Sequence, residues 1–256
     1  MHVVVFTRST PDTAARVTVG ANGAPSWDAD LVVNPWDEYA LEEAIVRAKA
    51  LEGKAYAVTV GGDANTQSLR HAIGMGLDEA ARVEDAAVNP ADSLAYATAA
   101  AAAVNKIGDV GLVIFGKESI DVGSDQHAYQ TARKLGWPVI SFVSKILSLE
   151  GGVIKAERML DGGKQVVSAK LPVVITVTKE INEPRYPSFI GIRKANKAVI
   201  PVWSLADLGA TAPAATLASQ TFLPLPVRDI QTEFISGEPD EMAAKLVEKL
   251  LEEKVL

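Results

Sequence analysis

An apolar run, Val113-Ile114-Phe115, stops at Gly116 and passes through Lys117-Glu118-Ser119-Ile120-Asp121-Val122-Gly123-Ser124-Asp125-Gln126 into a helical pattern. A buried strand that hands over through a Gly/Ser loop to a helix start aims backbone N–H groups and a helix dipole at one spot, which favours a bound phosphate. An ordinary βα turn has the same order of strand, glycine and helix, so the rest of the chain has to decide between the two. Sites for bond-making are sparse. There is no Gly-x-Ser-x-Gly elbow, no Walker A motif and no complete Gly-x-Gly-x-x-Gly fingerprint. Asp28 with Asp30, and Glu42 with Glu43, are paired carboxylates at a spacing expected of solvated surface, and His71 beside Arg70 is expected on the surface too. No nucleophile has its own base, so no catalytic residue is assigned. The residues support adenine-nucleotide binding without covalent catalysis.

Composition narrows the class. The 256 residues suffice for one large α/β domain with an appendage. With no cysteine, disulfides, thiolate chemistry and Cys-ligated metal centres are excluded, and three His without metal-ligand spacing make a His-based metal site improbable. A net charge of -7 argues against a nucleic-acid partner. No apolar run is long enough for a membrane span and the N-terminus lacks a basic signal region, so a cytoplasmic protein that does not span a membrane is expected.

The elements that must position the loop alternate. Val3 to Thr7 is predicted as a strand. Val17 to Val19 and Leu31 to Val33, flanking Gly20-Ala21-Asn22-Gly23, are predicted to pair as a small hairpin. Asn34 as N-cap and Pro35 at the first helical position start a helix that Gly53 ends. Tyr56 to Val60 is the next strand, closing at Gly61-Gly62. Helices near 65–75 and 91–106 follow, with a short strand at Ala81 to Val83 between them, and then the strand Leu112 to Phe115. This grammar implies a doubly wound α/β fold with a mostly parallel sheet, whose ligands gather at the carboxyl ends of its strands. Past Trp137-Pro138, Val139 to Val143 is another strand. Val153 to Arg158 and Gln165 to Ala169 around Asp161-Gly162-Gly163 form an antiparallel edge hairpin, and Val173 to Thr178 a further strand. A basic helix is predicted around Gly191 to Lys197. Leu208 to Pro226, rich in Ala, Thr, Pro and Leu, is read as an extended arm that packs on something else, followed by an amphipathic helix over Asp240 to Glu253. The division expected is a domain over 1–205 and a C-terminal arm and helix over 206–256. An isolated terminal helix of this size is marginal in water, so its Met242, Leu246, Val247, Leu250 and Leu251 stripe needs a surface.

The order of these motifs resembles the beta subunit of electron transfer flavoprotein over nearly the whole chain. The likeness is carried by Thr7-Arg8-Ser9-Thr10-Pro11-Asp12, by the Asn34-Pro35-Trp36-Asp37-Glu38 helix start, by Gly116 to Gln126, by the Asp161-Gly162-Gly163 hairpin and Leu171-Pro172 strand, and above all by Asn182-Glu183-Pro184-Arg185-Tyr186-Pro187-Ser188-Phe189. The resemblance implies a heterodimer with a larger alpha subunit that makes most contacts to a redox-active FAD, while this chain holds AMP, or a second FAD in a bifurcating complex. By position, Phe6, Thr7, Asn34, Gly61, Gly116, Asp121, Gly123, Ser124, Asp125 and Gln126 would surround the adenosine and phosphate. Tyr186, Phe189 and Ile190 would form the loop that docks flavin dehydrogenases, with Phe189 at its tip. Electrons would leave toward a quinone reductase or a ferredoxin-type acceptor, and the last 50 or so residues would embrace the alpha subunit.

Three positions depart from or vary the pattern. Asp125 stands where the family commonly has a neutral residue, and a carboxylate beside a phosphate is unfavourable unless it points away or caps an N–H. His127, where a small residue is usual, would offset that charge if protonated, and Arg8 matches a usual lysine. Two other classes stay open at this stage. An adenine-nucleotide hydrolase or pyrophosphatase of related fold would have only Lys117 and Asp121 as candidates beside the loop, and a universal-stress-type nucleotide sensor would be a much shorter homodimer.

Overall fold

The computed structural model describes residues 1–224, 226 and 232–255. In chain order the elements are β1 (His2–Phe6), β2 (Ser9–Pro11), β3 (Val17–Val19), β4 (Pro25–Trp27), β5 (Leu31–Val33), α1 (Pro35–Ala50), β6 (Ala55–Val60), α2 (Thr66–Met75), β7 (Glu79–Val83), α3 (Ser93–Ile107) and β8 (Val110–Gly116). They continue with α4 (Gln126–Leu135), β9 (Val139–Glu150), β10 (Val153–Leu160), β11 (Gly163–Lys170), β12 (Val173–Val177), α5 (Phe189–Lys197), β13 (Val202–Trp203) and α6 (Pro239–Glu252).

Nine strands make one sheet in the order β11-β10-β9-β12-β8-β1-β6-β7-β13. It is parallel from β9 through to β13, and β9, β10 and β11 run antiparallel at one edge. This is the doubly wound, mostly parallel architecture with an edge hairpin that the sequence implies. The chain leaves β1 toward β6 and β7, then returns to lay β8 on the other side of β1. The strand order therefore reverses between β1 and β8, and ligands in open α/β sheets bind beyond the carboxyl ends at such a reversal.

Burial on both faces explains the unbroken apolar strands. Val3 and Val5 of β1 join a core with Leu41, Ala44, Leu69, Leu112 and Ile114 under α1 and α2. Val4 and Phe6 point the other way, into a core with Val58, Val113, Phe115 and the α3 residues Ala99, Ala100, Ala103 and Val104. Alanine on the inner face of α3 lets that helix lie close to the sheet.

Two expectations change. Val17–Val19 pairs with Pro25–Trp27, so the tight turn closes on the nearer strand, whereas Leu31–Val33 pairs antiparallel with Ser9–Pro11. The start of the expected arm is held by this chain itself. The Asp92 carboxylate caps α3 by accepting from Leu94 N and Ala95 N, and it also accepts from the backbone N–H and hydroxyl of Thr216 and from Leu217 N, at 2.6 to 3.2 Å. Leu208, Ala210 and Ala212 pack against the α3 core. A carboxylate surrounded by five donors seeks a partner wherever the chain passes, which a composition-based reading of 208–226 does not register. Leu225, within that expected arm, lies outside the described residues. Residues beyond the helical turn at 205–209 as far as 224 carry no helix or strand.

By compactness the chain divides into Met1–Thr221 and Phe222–Leu256. In the second unit α6 starts at Pro239 with Asp240 and Glu241 in its first turn, and none of its residues is buried; Leu246, Val247 and Leu251 are about half exposed. Among the described residues no helix is long and apolar enough to cross a membrane.

Replacing Asp92 removes a helix cap and the tether of residues 216–217 together. Asp92→Ala is expected to lower the urea midpoint by an amount equivalent to about 1–2 kcal/mol, and to open the segment around Thr216 to limited proteolysis; an unchanged digestion pattern would contradict the tether.

Candidate functional site

At the reversal between β1 and β8 lies a half-open cleft, about 400 Å³ counting the space that opens to solvent. Phe6, Thr7 and Arg8 enter it from the end of β1, Asn34 and Asp37 from the start of α1, Phe115 and Gly116 from the end of β8, Tyr96 from α3, and Glu118, Ser119, Ser124, Asp125, His127 and Ala128 from the loop and start of α4.

The tightest point is the crossing of β8 over α1. A Cβ on Gly116 would collide with Asp37 Oδ1 and lie 2.7 Å from the Trp36 carbonyl carbon, so no residue but glycine lets the strand end there. Asp37 is fully packed beneath it, accepting from Asn34 Nδ2 at 2.9 Å and from Arg8 N at 3.0 Å. Burial pushes its carboxyl up to about 7, against the pull of those hydrogen bonds and of Arg8. Asn34 has the N-cap position of α1 but does not cap it. Its amide donates to Glu118 O at 2.9 Å and accepts from Ile120 N at 3.2 Å, which fastens the loop after β8 to α1.

The loop folds on itself through Ser119 N to Ser124 O at 2.9 Å and Gly123 N to Ser119 O at 2.8 Å. Arg8 donates to Asp121 at 2.8 Å, joining the β1 end to the loop. Asp125 occupies the N-cap of α4 with no cap hydrogen bond from its side chain, leaving the first-turn N–H groups without the usual carboxylate acceptor. On the inner wall Phe6 stacks on Phe115 with centroids 4.7 Å apart, Tyr96 lies 6.3 Å from Phe6, and His127 packs on Tyr96 at 4.1 Å. Burial, and then the charge of Arg8, lower His127 to about 4, so it stays neutral at physiological pH and does not offset Asp125. Two residues that line the cleft each bury a polar atom with no partner, Thr7 its Oγ1 and His127 its Nε2. Buried polar groups left unpaired are costly; together with uncapped amides and aromatic walls they suit a ligand with a flat ring at one end and an anion at the other.

Of the residues named from the sequence, Phe6, Thr7, Asn34, Gly116, Ser124 and Asp125 line the cleft. Asp121 and Gly123 shape the loop, and Gln126 Oε1 reaches the Ser93 hydroxyl at 3.3 Å. Gly61 ends β6 one strand away, donating to Val83 O and packing against Asn65. Sequence reasoning missed Asp37, Tyr96 and Phe115. Asp37 reads as an ordinary acidic first-turn residue and Tyr96 as one apolar position on an alanine-rich helix; only the fold aims them at one place.

The docking candidates sit on a second platform. Tyr186, Phe189 and Ile190 are 93%, 91% and 83% exposed. Phe189 is the first residue of α5 rather than a loop tip; Ser188 caps that helix by accepting from Gly191 N at 3.0 Å. The segment before it is pinned to α1. Arg185 grips Glu42 through two hydrogen bonds of 2.7 Å, and Asn182 donates to Glu43 Oε2 and to Tyr39 O at 3.0 Å each. Glu42 and Glu43 are thus buried structural acids, not the solvated pair their spacing suggested. Burial raises the Glu42 carboxyl, and the Arg185 hydrogen bonds and charge outweigh it, holding the group below its usual range. Gly191 lies against the Gly74 carbonyl of α2, a contact that leaves no room for a Cβ. His71, expected on the surface, is partly buried beside Glu38 at 3.5 Å, and burial lowers its pKa.

Because the folded protein holds a proton on Asp37 that the unfolded chain releases near pH 4, this group's contribution to stability is complete below about pH 4 and is lost as pH rises through about 7. Asp37→Asn is expected to remove that portion of the slope, at most about 1.4 kcal/mol per pH unit for one proton. Urea midpoints at intervals from pH 4 to 8, wild type against variant, provide the check.

The family model described as electron transfer flavoprotein domain matches residues 28–208. The chain is 33% identical over 256 residues to electron transfer flavoprotein subunit beta of Bacillus subtilis, covering 99% of this chain and 98% of that one. It is 37% identical over 216 residues to the protein of the same name from Mycobacterium tuberculosis, covering 81% and 80%. It is 32% identical over 268 residues to caffeyl-CoA reductase-Etf complex subunit CarD of Acetobacterium woodii, covering both chains completely. With the doubly wound sheet, these matches establish that the chain belongs to the electron transfer flavoprotein family, among its beta subunits.

Proposed function

We propose that this chain is the nucleotide-holding half of an electron-carrying heterodimer. It pairs with an alpha subunit that supplies most contacts to a redox-active FAD, takes electrons from flavin dehydrogenases, and passes them to a quinone reductase or a ferredoxin-type acceptor. The observation that carries the reading is the cleft at the β1–β8 reversal, where the uncapped start of α4 lies beside the unpartnered Thr7 Oγ1 and His127 Nε2.

In that cleft an adenylate, either AMP or the AMP half of a second FAD, fits the residues present. The first turn of α4 and the Ser124–Asp125 backbone would hold its phosphate, and the Phe6, Phe115 and Tyr96 wall its ring. Arg8 supplies the positive charge, shared with Asp121. Bound flavin supplies reversible uptake and release of electrons. This chain's part is to fix positions: α1 holds the nucleotide loop through Asn34 and the docking segment through Glu42 and Glu43. Phe189 then offers a rigid apolar contact to a dehydrogenase, which lowers the entropy lost on docking. The hydrolytic alternative loses its two candidate groups, because Asp121 is bonded to Arg8, and Lys117 lies over the Trp36 ring at 5.1 Å and pairs with Glu118.

Co-expression with an electron transfer flavoprotein alpha subunit is expected to yield a yellow heterodimer from which FAD and an adenylate are extracted. In that complex Phe189→Ala should slow reduction by a flavin dehydrogenase about tenfold or more with the visible spectrum unchanged. A colourless homodimer, or hydrolysis of added ATP by the pure chain, would replace the proposal.

A further inference from the structure

His127 sits where two chemistries of the cleft meet. Its backbone belongs to the first turn of α4, next to Asp125 at the N-cap, and its ring packs on Tyr96 at 4.1 Å, in contact with the aromatic wall of Phe6 and Phe115. A ligand with an anion at the helix start and a flat ring against the wall places its connecting portion at this side chain. In a nucleotide that portion is the ribose.

The hydrogen-bonding state of the ring follows from its neighbours. Against burial, the backbone of Pro90 raises the pKa of the ring, which is the effect of an acceptor, and proline has only a carbonyl to offer, so the imidazole is the donor. Nε2 has no partner, so the donating nitrogen is Nδ1. A neutral ring with its proton on Nδ1 carries a bare lone pair on Nε2. A lone pair repels a phosphate oxygen and accepts from a hydroxyl.

We propose that His127 is a specificity-determining residue of the cleft, its Nε2 accepting a hydrogen bond from a ribose hydroxyl and so selecting a ribonucleotide over its deoxy counterparts. The proposal rests on the adenylate reading above and adds to it the identity of the sugar and the residue that reads it. A deoxy ligand would leave Nε2 buried and unpaired, which is the form of discrimination that polar sites achieve best. Thr7 Oγ1, the other unpartnered atom of the cleft, is a hydroxyl that donates or accepts and is served by either kind of ligand.

The test uses the full chain in complex with its alpha subunit and measures displacement of labelled AMP by AMP, 2′-deoxy-AMP and 3′-deoxy-AMP. Wild type is expected to bind at least one of the deoxy compounds more than about tenfold more weakly than AMP. His127→Phe, which keeps a ring against Tyr96 but offers no acceptor, is expected to bring AMP and that analogue within about threefold of each other. His127→Gln, whose amide oxygen accepts, should restore part of the preference and covers the case in which the phenylalanine variant folds poorly. Equal binding of all three nucleotides by wild type, or an undiminished preference in both variants, overturns the role given to His127 and leaves the adenylate reading standing. No binding of AMP or of either analogue overturns that reading and this inference with it.

Discussion

The contact on which the rest of this structure depends is the passage of Gly116 over the first turn of α1. Strand β8 can end there only because position 116 has no side chain, and the buried Asp37 carboxyl beneath it is tolerated only because Asn34 and Arg8 donate to it. That crossing brings the end of β8 and the start of α1 to the point where the strand order reverses. Asn34 then sets the height of the following loop by bonding both Glu118 and Ile120. The cleft is thus a product of one close backbone approach and one buried polar knot, and not of a glycine-rich fingerprint.

Helix α1 has polar duties along its length. Asn34 at its N-terminus fastens the loop after β8; about two turns later Glu42 and Glu43 fasten the segment that leads to Phe189. Buried carboxylates are unfavourable alone and strongly directional when matched by a bidentate arginine or an amide. Placing two of them side by side on a helix that packs on the sheet makes an irregular segment as well positioned as a strand.

The fold was legible in the sequence because the parallel strands are continuous apolar runs closed by glycine, and because both faces of β1 demand burial. Asp161-Gly162-Gly163 announced the edge hairpin for the same local reason. What could not be read depends on contacts far apart in the chain. Leu31 to Val33 lies nearer in pattern to the hairpin turn than to Ser9, yet it pairs with Ser9 to Pro11. Glu42 and Glu43 look like any exposed helical acids until Arg185 and Asn182, some 140 positions later, fold back on them. In the cleft, Gly116, Asn34 and Phe6 at the end of β1 carried visible signals. Asp37, Tyr96 and the neutral state of His127 did not, because burial confers their properties and burial belongs to the assembled fold.

The seat of α5 is made from main chain and hidden acids: Gly191 against the Gly74 carbonyl, Ser188 N bonded to that same carbonyl, and Arg185 locked to Glu42. None of these groups is among the outward-facing side chains Tyr186, Phe189 and Ile190. Mutational drift at those three positions is therefore insulated from the folding of the body and from the cleft. These three outward-facing side chains can thus change one residue at a time while the framework behind them stays under separate selection.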